Sequence, residues 1–438
     1  MRRILVAVLL VAACGSNKNE KRAEPTKVED KAEQTPVAPP PAGSATPAAG
    51  SGSAVVGTPE TKPVEEPTEG APAPGGHDFT PEAKALLAVG ACGGGPTPEG
   101  VPQSLVDKHC SVITKAQDEY KNGWLKKAEP FFEQKVPKDL PKKVLYPFAG
   151  GDLSTALTVY PDADEITTIS LEPPGDPRTL GALKGKALEN ALGKVEYELK
   201  FLYRVNFSNT LNMIEAMRGG ALPTQLIFGL SALKIHGYEL VALRYFKLNE
   251  DGTIHYLDDA DLKKAPDPEK GTAEQRNSVF SNCEVQFRKP GGRIQVWRHM
   301  KHNLGDAAMA GIGPGLKEDP RIVKHLEAKG DIAGMTKAAS YLLSWDSFTI
   351  IRKLLLDHVQ WMVSDATGVA PKWGKAAGFE YETYGLFEAP HIGAGNNIAK
   401  NWKEEWAAQD KRELTFRFGY YDKKFRNHLV IMRKKKAS

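Results

Sequence analysis

Apolar and polar positions divide the 438-residue chain into three unequal stretches. Ile4 to Ala13 is unbroken apolar sequence, residues 15–77 carry almost no large apolar side chains, and periodic patterning starts only after them. Thr80-Pro81-Glu82 is a helix start with Pro at its first positions, and the helix ends near Gly90. Ser104 to Asn122 has helical spacing, and a second short helix includes Phe131 and Phe132. Lys143 to Phe148 reads as a strand, Ala149 to Asp152 as a tight turn, Leu153 to Tyr160 as a helix and Glu165 to Leu171 as the next strand. Lys186 to Asn206 and Ser208 to Met217 look helical, while the short apolar run Gln225 to Phe228 fits a strand. Two hairpins follow, around Asn249-Glu250-Asp251-Gly252 and around Pro290-Gly291-Gly292. Thr336 to Leu343 reads as a buried strand, Asp346 to His358 as an amphipathic helix and Val359 to Val363 as a strand. Three final strands are expected at Phe379 to Phe387, Glu413 to Tyr420 and His428 to Met432.

Two strand–helix–strand units share one plan. One runs from Val144 to Glu172 with Asp152 opening its helix, the other from Thr336 to Asp365 with Asp346 in that place. Such units imply parallel strands joined by right-handed crossovers. The expected class is α/β: a mixed, largely parallel, Rossmann-like sheet with added antiparallel hairpins, preceded by a helical portion over 78–140.

The apolar run near the start changes the picture. Arg2 and Arg3 precede it, and ten residues are too few to cross a hydrocarbon core of ~30 Å as a helix, so it reads as a signal peptide over 1–13. Val11-Ala12-Ala13-Cys14 resembles the lipobox of bacterial lipoproteins, in which the leader is cut before a cysteine that is then acylated. That resemblance implies lipidation of Cys14 and attachment to a membrane through the lipid. Gly15 in the next position resembles outer-membrane sorting in a Gram-negative cell envelope. Residues 14–77, rich in Pro, Ala and Gly, cannot bury enough surface to offset chain entropy and read as a disordered tether to an α/β domain over 78–438.

Charge adds little. Losing Arg2 and Arg3 with the leader lowers the formal net charge from +4 to +2, too weak a balance to argue for nucleic acid. Arg433-Lys434-Lys435-Lys436 is the one true charge run and fits a solvated terminus. An exported chain meets oxidising conditions, so Cys92 and Cys110 are the natural disulfide, worth roughly 3 kcal/mol by loop closure. Cys283 alternates in phase with Val285 and Phe287 and belongs on the apolar face of a strand.

The first strand–helix–strand unit holds the best candidate chemistry. Gly150 and Gly151 would let a ligand approach the backbone at a helix N-terminus, with Asp152 beside it and Glu172 placed for a ribose hydroxyl. The plan resembles class I S-adenosylmethionine methyltransferases, although the Gly-x-Gly spacing is missing, Pro147 interrupts the strand and Pro173-Pro174 follows the acid. Leu145 to Asp152 and Lys337 to Phe348 also look like parts of uncharacterised bacterial envelope proteins, a likeness that adds fold plausibility and no site. Ser231 half resembles a nucleophile elbow, but Leu233 stands where that turn needs glycine, so an ordinary turn or cap serine is favoured. His299, His302 and Asp306 form a loose metal set whose odd spacing on a strand would send the two imidazoles to opposite faces, so no metal is expected. Trp345, Trp361, Trp373, Trp402 and Trp406 could line a sugar-binding face, or pack. The expectation is a lipid-anchored envelope protein without cofactor that binds a ligand or a partner, an envelope protein or glycan, without catalysis. The alternative is a divergent enzyme on a methyltransferase-like α/β fold, or a hydrolase.

Overall fold

Ten strands hydrogen-bond into one sheet in a computed structural model that describes residues 75–206, 221–312, 320–390 and 395–435. The leader, Cys14, the tether as far as residue 74 and Ser208 to Met217 lie outside the described residues, while the His77 amide at the tether's end donates to the Leu257 carbonyl. The strands are β1 (Lys143–Pro147), β2 (Glu165–Ser170), β3 (Glu239–Leu248), β4 (Ile254–Tyr256) and β5 (Asn282–Arg288). They continue with β6 (Gln295–Lys301), β7 (Ile332–Thr336), β8 (Val359–Ser364), β9 (Phe379–Gly385) and β10 (His428–Lys434). Their order is β4-β3-β5-β6-β2-β1-β7-β8-β10-β9. The five central strands, β6 to β8, run parallel, with Val144 opposite Ile166 on one side and Ala333 on the other. Both flanks are antiparallel: β3, β4 and β5 on one side, β10 and β9 on the other.

The labelled helices are α1 (Thr80–Val89), α2 (Gln103–Tyr120), α3 (Lys126–Lys135), α4 (Leu153–Val159), α5 (Gly185–Val205), α6 (Thr224–Ile235), α7 (Thr349–His358) and α8 (Asn396–Ala407). Alternation along each strand sends its side chains to two separate cores. Val144, Tyr146, Met335, Trp361, Val363, Leu429 and Ile431 pack on one face with the helices α1 to α6. Leu145, Met362, Val430 and Met432 pack on the other with α7 and α8. The apolar stripe of α5 is set by spacing: Leu188, Leu192, Val195, Leu199 and Leu202 are all buried.

The structure corrects several expectations. The sheet is not largely parallel, since antiparallel neighbours on both flanks outnumber the parallel pairs, five to four. Gln225 to Phe228 belongs to helix α6, not to a strand. The second unit begins earlier than read, with β7 ending at Thr336 and a 3-10 turn over Ala338–Ser344. Asp346 does not open its helix, which starts at Thr349 after Phe348. Glu413 to Tyr420 forms no ladder, though Phe416 and Phe418 are buried. The helix with Phe131 and Phe132 continues from α2 through a π turn, Lys121–Leu125.

Candidate functional site

The carboxyl ends of β1, β2, β7 and β8 lead directly into Asp152, Glu172, Lys337 and Asp365, four charged residues from four neighbouring parallel strands. All four are buried, between 0% and 2% exposed. After β1 the chain turns sharply, with Phe148 at φ +58° and Gly150 at φ +54° in the left-handed region. For Phe148 that conformation costs on the order of 1–3 kcal/mol. Asp152 then caps α4, its Oδ1 accepting from the Thr155 amide at 3.3 Å and the Thr155 hydroxyl at 2.8 Å. Its Oδ2 accepts from the Tyr146 hydroxyl at 3.1 Å and pairs with the Lys337 ammonium.

Lys337 completes the cluster from the end of β7. Besides Asp152, its Nζ donates to Thr155 Oγ1 at 3.0 Å and to Asn206 Oδ1 at 3.1 Å. An ammonium has three protons, and three acceptors take them. Burial pushes the Lys337 ammonium below its ordinary range, against the opposing pull of Asp152 and Asp365. Asn206, left-handed at the end of α5, donates from Nδ2 to Thr155 Oγ1 at 3.1 Å. Asp365 Oδ2 accepts from the amides of Ala338 at 3.0 Å and Tyr420 at 2.7 Å, and its Oδ1 from Thr367 N at 2.9 Å. Asp152, Lys337, Asn206 and Asp365 are thus satisfied by one another, by Thr155 and Tyr146 and by backbone amides, as a buried ionic cluster must be to be stable.

The glycine turn is covered as well. A Cβ on Gly151 would lie 2.1 Å from Phe228 Cδ2 and 2.9 Å from Gln225 Oε1, both on α6. The space that glycine leaves for a ligand is occupied here by the protein's own helix. At Glu172 the backbone carbonyl accepts from His299 Nε2 at 2.9 Å, and the His299 ring meets Thr168 Oγ1 at 2.9 Å. Burial depresses the His299 pKa to about 4, so the imidazole is neutral at ordinary pH.

The other sequence candidates separate. Ser231 lies inside α6, buried, 2.6 Å from the Tyr203 hydroxyl and 2.7 Å from Gln117 Nε2, so it is a helix-packing serine. Among the described residues no group of three His, Cys, Asp or Glu is placed to hold a metal. His299 sits in the sheet, while Asp306 accepts from the Ile350 amide at 2.9 Å. Trp361 and Trp402 are core residues, 1% and 0% exposed, and Trp373 stacks under Arg352. Cys92 and Cys110 form a disulfide with Cα atoms 5.3 Å apart, and Cys283 is buried with Val285 and Phe287.

The sequence reading found Asp152 and Glu172 but missed Lys337, Asp365, Asn206 and the covering residues Gln225 and Phe228. A signal was present: Lys337 and Asp365 follow the two strands of the second unit as Asp152 and Glu172 follow those of the first. No family model, curated protein or solved structure matches the chain.

Proposed function

We propose that this chain is a lipid-anchored protein of the bacterial cell envelope, held at Cys14, whose α/β domain binds a ligand or partner without catalysis and keeps the carboxyl ends of its strands as a closed structural cluster. One observation carries the non-catalytic part: the lysine that follows β7 spends every proton on neighbours within the fold. The order β6-β2-β1-β7-β8 corresponds to 3-2-1-4-5 in chain order among the parallel strands, which supports a Rossmann-like reading. In such sheets ligands enter outside the carboxyl ends where the order reverses, here between β1 and β7. Asp152 and Lys337 pair across that reversal, and Phe228 lies against Gly151. The lipobox likeness of Val11 to Cys14 supports the anchor. No helix among the described residues is long and apolar enough to cross a membrane, which is compatible with attachment by lipid alone.

A second reading, a divergent enzyme on the same fold, draws on Gln225. This side chain is buried against Gly151, yet neither amide atom has a hydrogen-bond partner among the described residues. Calorimetric titration of the full chain with S-adenosylmethionine and with NAD separates the two. The first reading expects no saturable heat at millimolar ligand. Saturable binding that Asp152→Asn weakens supports the enzyme instead. Mass spectrometry of the N-terminal peptide tests the anchor: an acylated Cys14 is expected, and an unmodified one overturns it.

A further inference from the structure

A cleft of about 500 Å³ opens at the other end of the same strands, where β1 and β2 begin. That volume lies within the range of small-molecule sites. Val136, Leu140, Leu157 and Pro161 give it an apolar part, and polar and charged side chains of both signs make up the rest of its lining. Lys138, Lys142 and Lys289 stand there with Glu129, Glu133 and Asp162, so neither sign of ligand is favoured.

His236 is the polar group that gives the cleft direction. Its Nε2 lies 3.1 Å from the Ser154 carbonyl oxygen and 3.0 Å from Ser154 Oγ. A carbonyl only accepts, so Nε2 carries the proton in the neutral ring and Nδ1 is left as an acceptor. No protein group among the described residues meets Nδ1, and the ring lines the cleft. Burial, with Lys289 nearby, holds the His236 pKa at about 4, which keeps that acceptor available at neutral pH. Lys289 itself is engaged, over the Tyr238 ring at 4.3 Å and donating to the His236 carbonyl.

We propose that this cleft binds a small neutral molecule with an apolar ring and one hydrogen-bond donor, the donor meeting Nδ1 of His236. The site is separate from the carboxyl-end cluster, and its failure would leave the reading of that cluster standing. Indole is a suitable probe because it is neutral and apolar with a single N–H, and 1-methylindole is the same shape without the donor. Both are titrated calorimetrically into the full chain and into Val136→Trp, which fills the cleft from a half-buried rim position. Saturable indole binding is expected, weaker by roughly fivefold for 1-methylindole, the worth of one ordinary hydrogen bond, and lost in V136W. Absence of saturation up to the solubility limit of indole overturns the proposal. Equal affinity for the two indoles, or binding that survives V136W, overturns it too.

Discussion

The two ends of the central strands are built from opposite materials. At the carboxyl ends, charged side chains meet in a space closed to water, and left-handed Phe148 and Ala338 bring the chain round them. At the amino ends, apolar and polar side chains together line an open cleft. Placing polar groups in the interior demands that each find a partner, so the carboxyl end is rigidly specified. An open cleft has no such demand, because water reaches the polar groups that line it. The end where α/β sheets ordinarily hold ligands is therefore the filled one here.

Removing one member of the cluster should have the largest effect. Asp152→Ala leaves the Lys337 ammonium buried without its main counter-charge, and breaking such a pair costs about 3–5 kcal/mol. Urea unfolding of the single variant and of Asp152→Ala/Lys337→Met measures it. The double variant should recover much of the loss, because no buried charge is then stranded. A single variant costing less than about 1 kcal/mol would mean that water reaches the cluster, and the contrast between the two ends would collapse.

Acid should expose the same principle at the neighbouring strands. His299 titrates at about 4 in the fold against an ordinary 6.5, so between those values the unfolded chain binds a proton that the folded chain refuses. This group's contribution is then complete above pH 6.5 and is lost as the pH falls from 6.5 to 4, by about 3 kcal/mol, levelling off below that. His236 and His325 lie at about 4 as well and add to the same slope. Glu165 acts lower: burial alone would raise it, but Lys329 and Arg298 pull it to about 2, so its share is lost only between pH 4.5 and 2. Urea midpoints followed with pH should show the first segment shallower but not flat in His299→Gln, because His236 and His325 still contribute to it, and the second unchanged.

The parts legible from sequence were those written locally. The second strand–helix–strand unit was legible only in its helix and closing strand, its opening strand being Ile332–Thr336 and not Thr336 to Leu343. The first was visible because apolar and β-branched runs, a turn and a helical stretch follow one another within thirty residues. Asp152 was legible as a helix opener for the same reason. Its partner was not, since Lys337 lies 182 positions from Thr155, the other residue that holds it. Helix α6 was misread because ten of its twelve residues are buried, which erases the period separating a helix from a strand. Glu413 to Tyr420 failed for another reason. Alternation reports one-sided burial, which Phe416 and Phe418 have, but it cannot supply a neighbouring strand.

The smallest effects give the sharpest test, because they ask each end to accept extra atoms. Gly151→Ala adds one carbon where Phe228 stands 2.1 Å away, and overpacking of this kind costs about 1–3 kcal/mol. Phe228→Leu should relieve part of that cost in the double variant, since it removes the ring that the methyl meets. Val136→Trp adds a whole indole at the amino end, yet its side chain enters space that is already open, so the change should stay within about 0.5 kcal/mol. Thermal unfolding of the two single variants side by side compares them directly. If the single carbon proves harmless while the indole destabilises, the carboxyl end holds hidden room and the amino end does not, and the assignment of ligand space to the two ends must be exchanged.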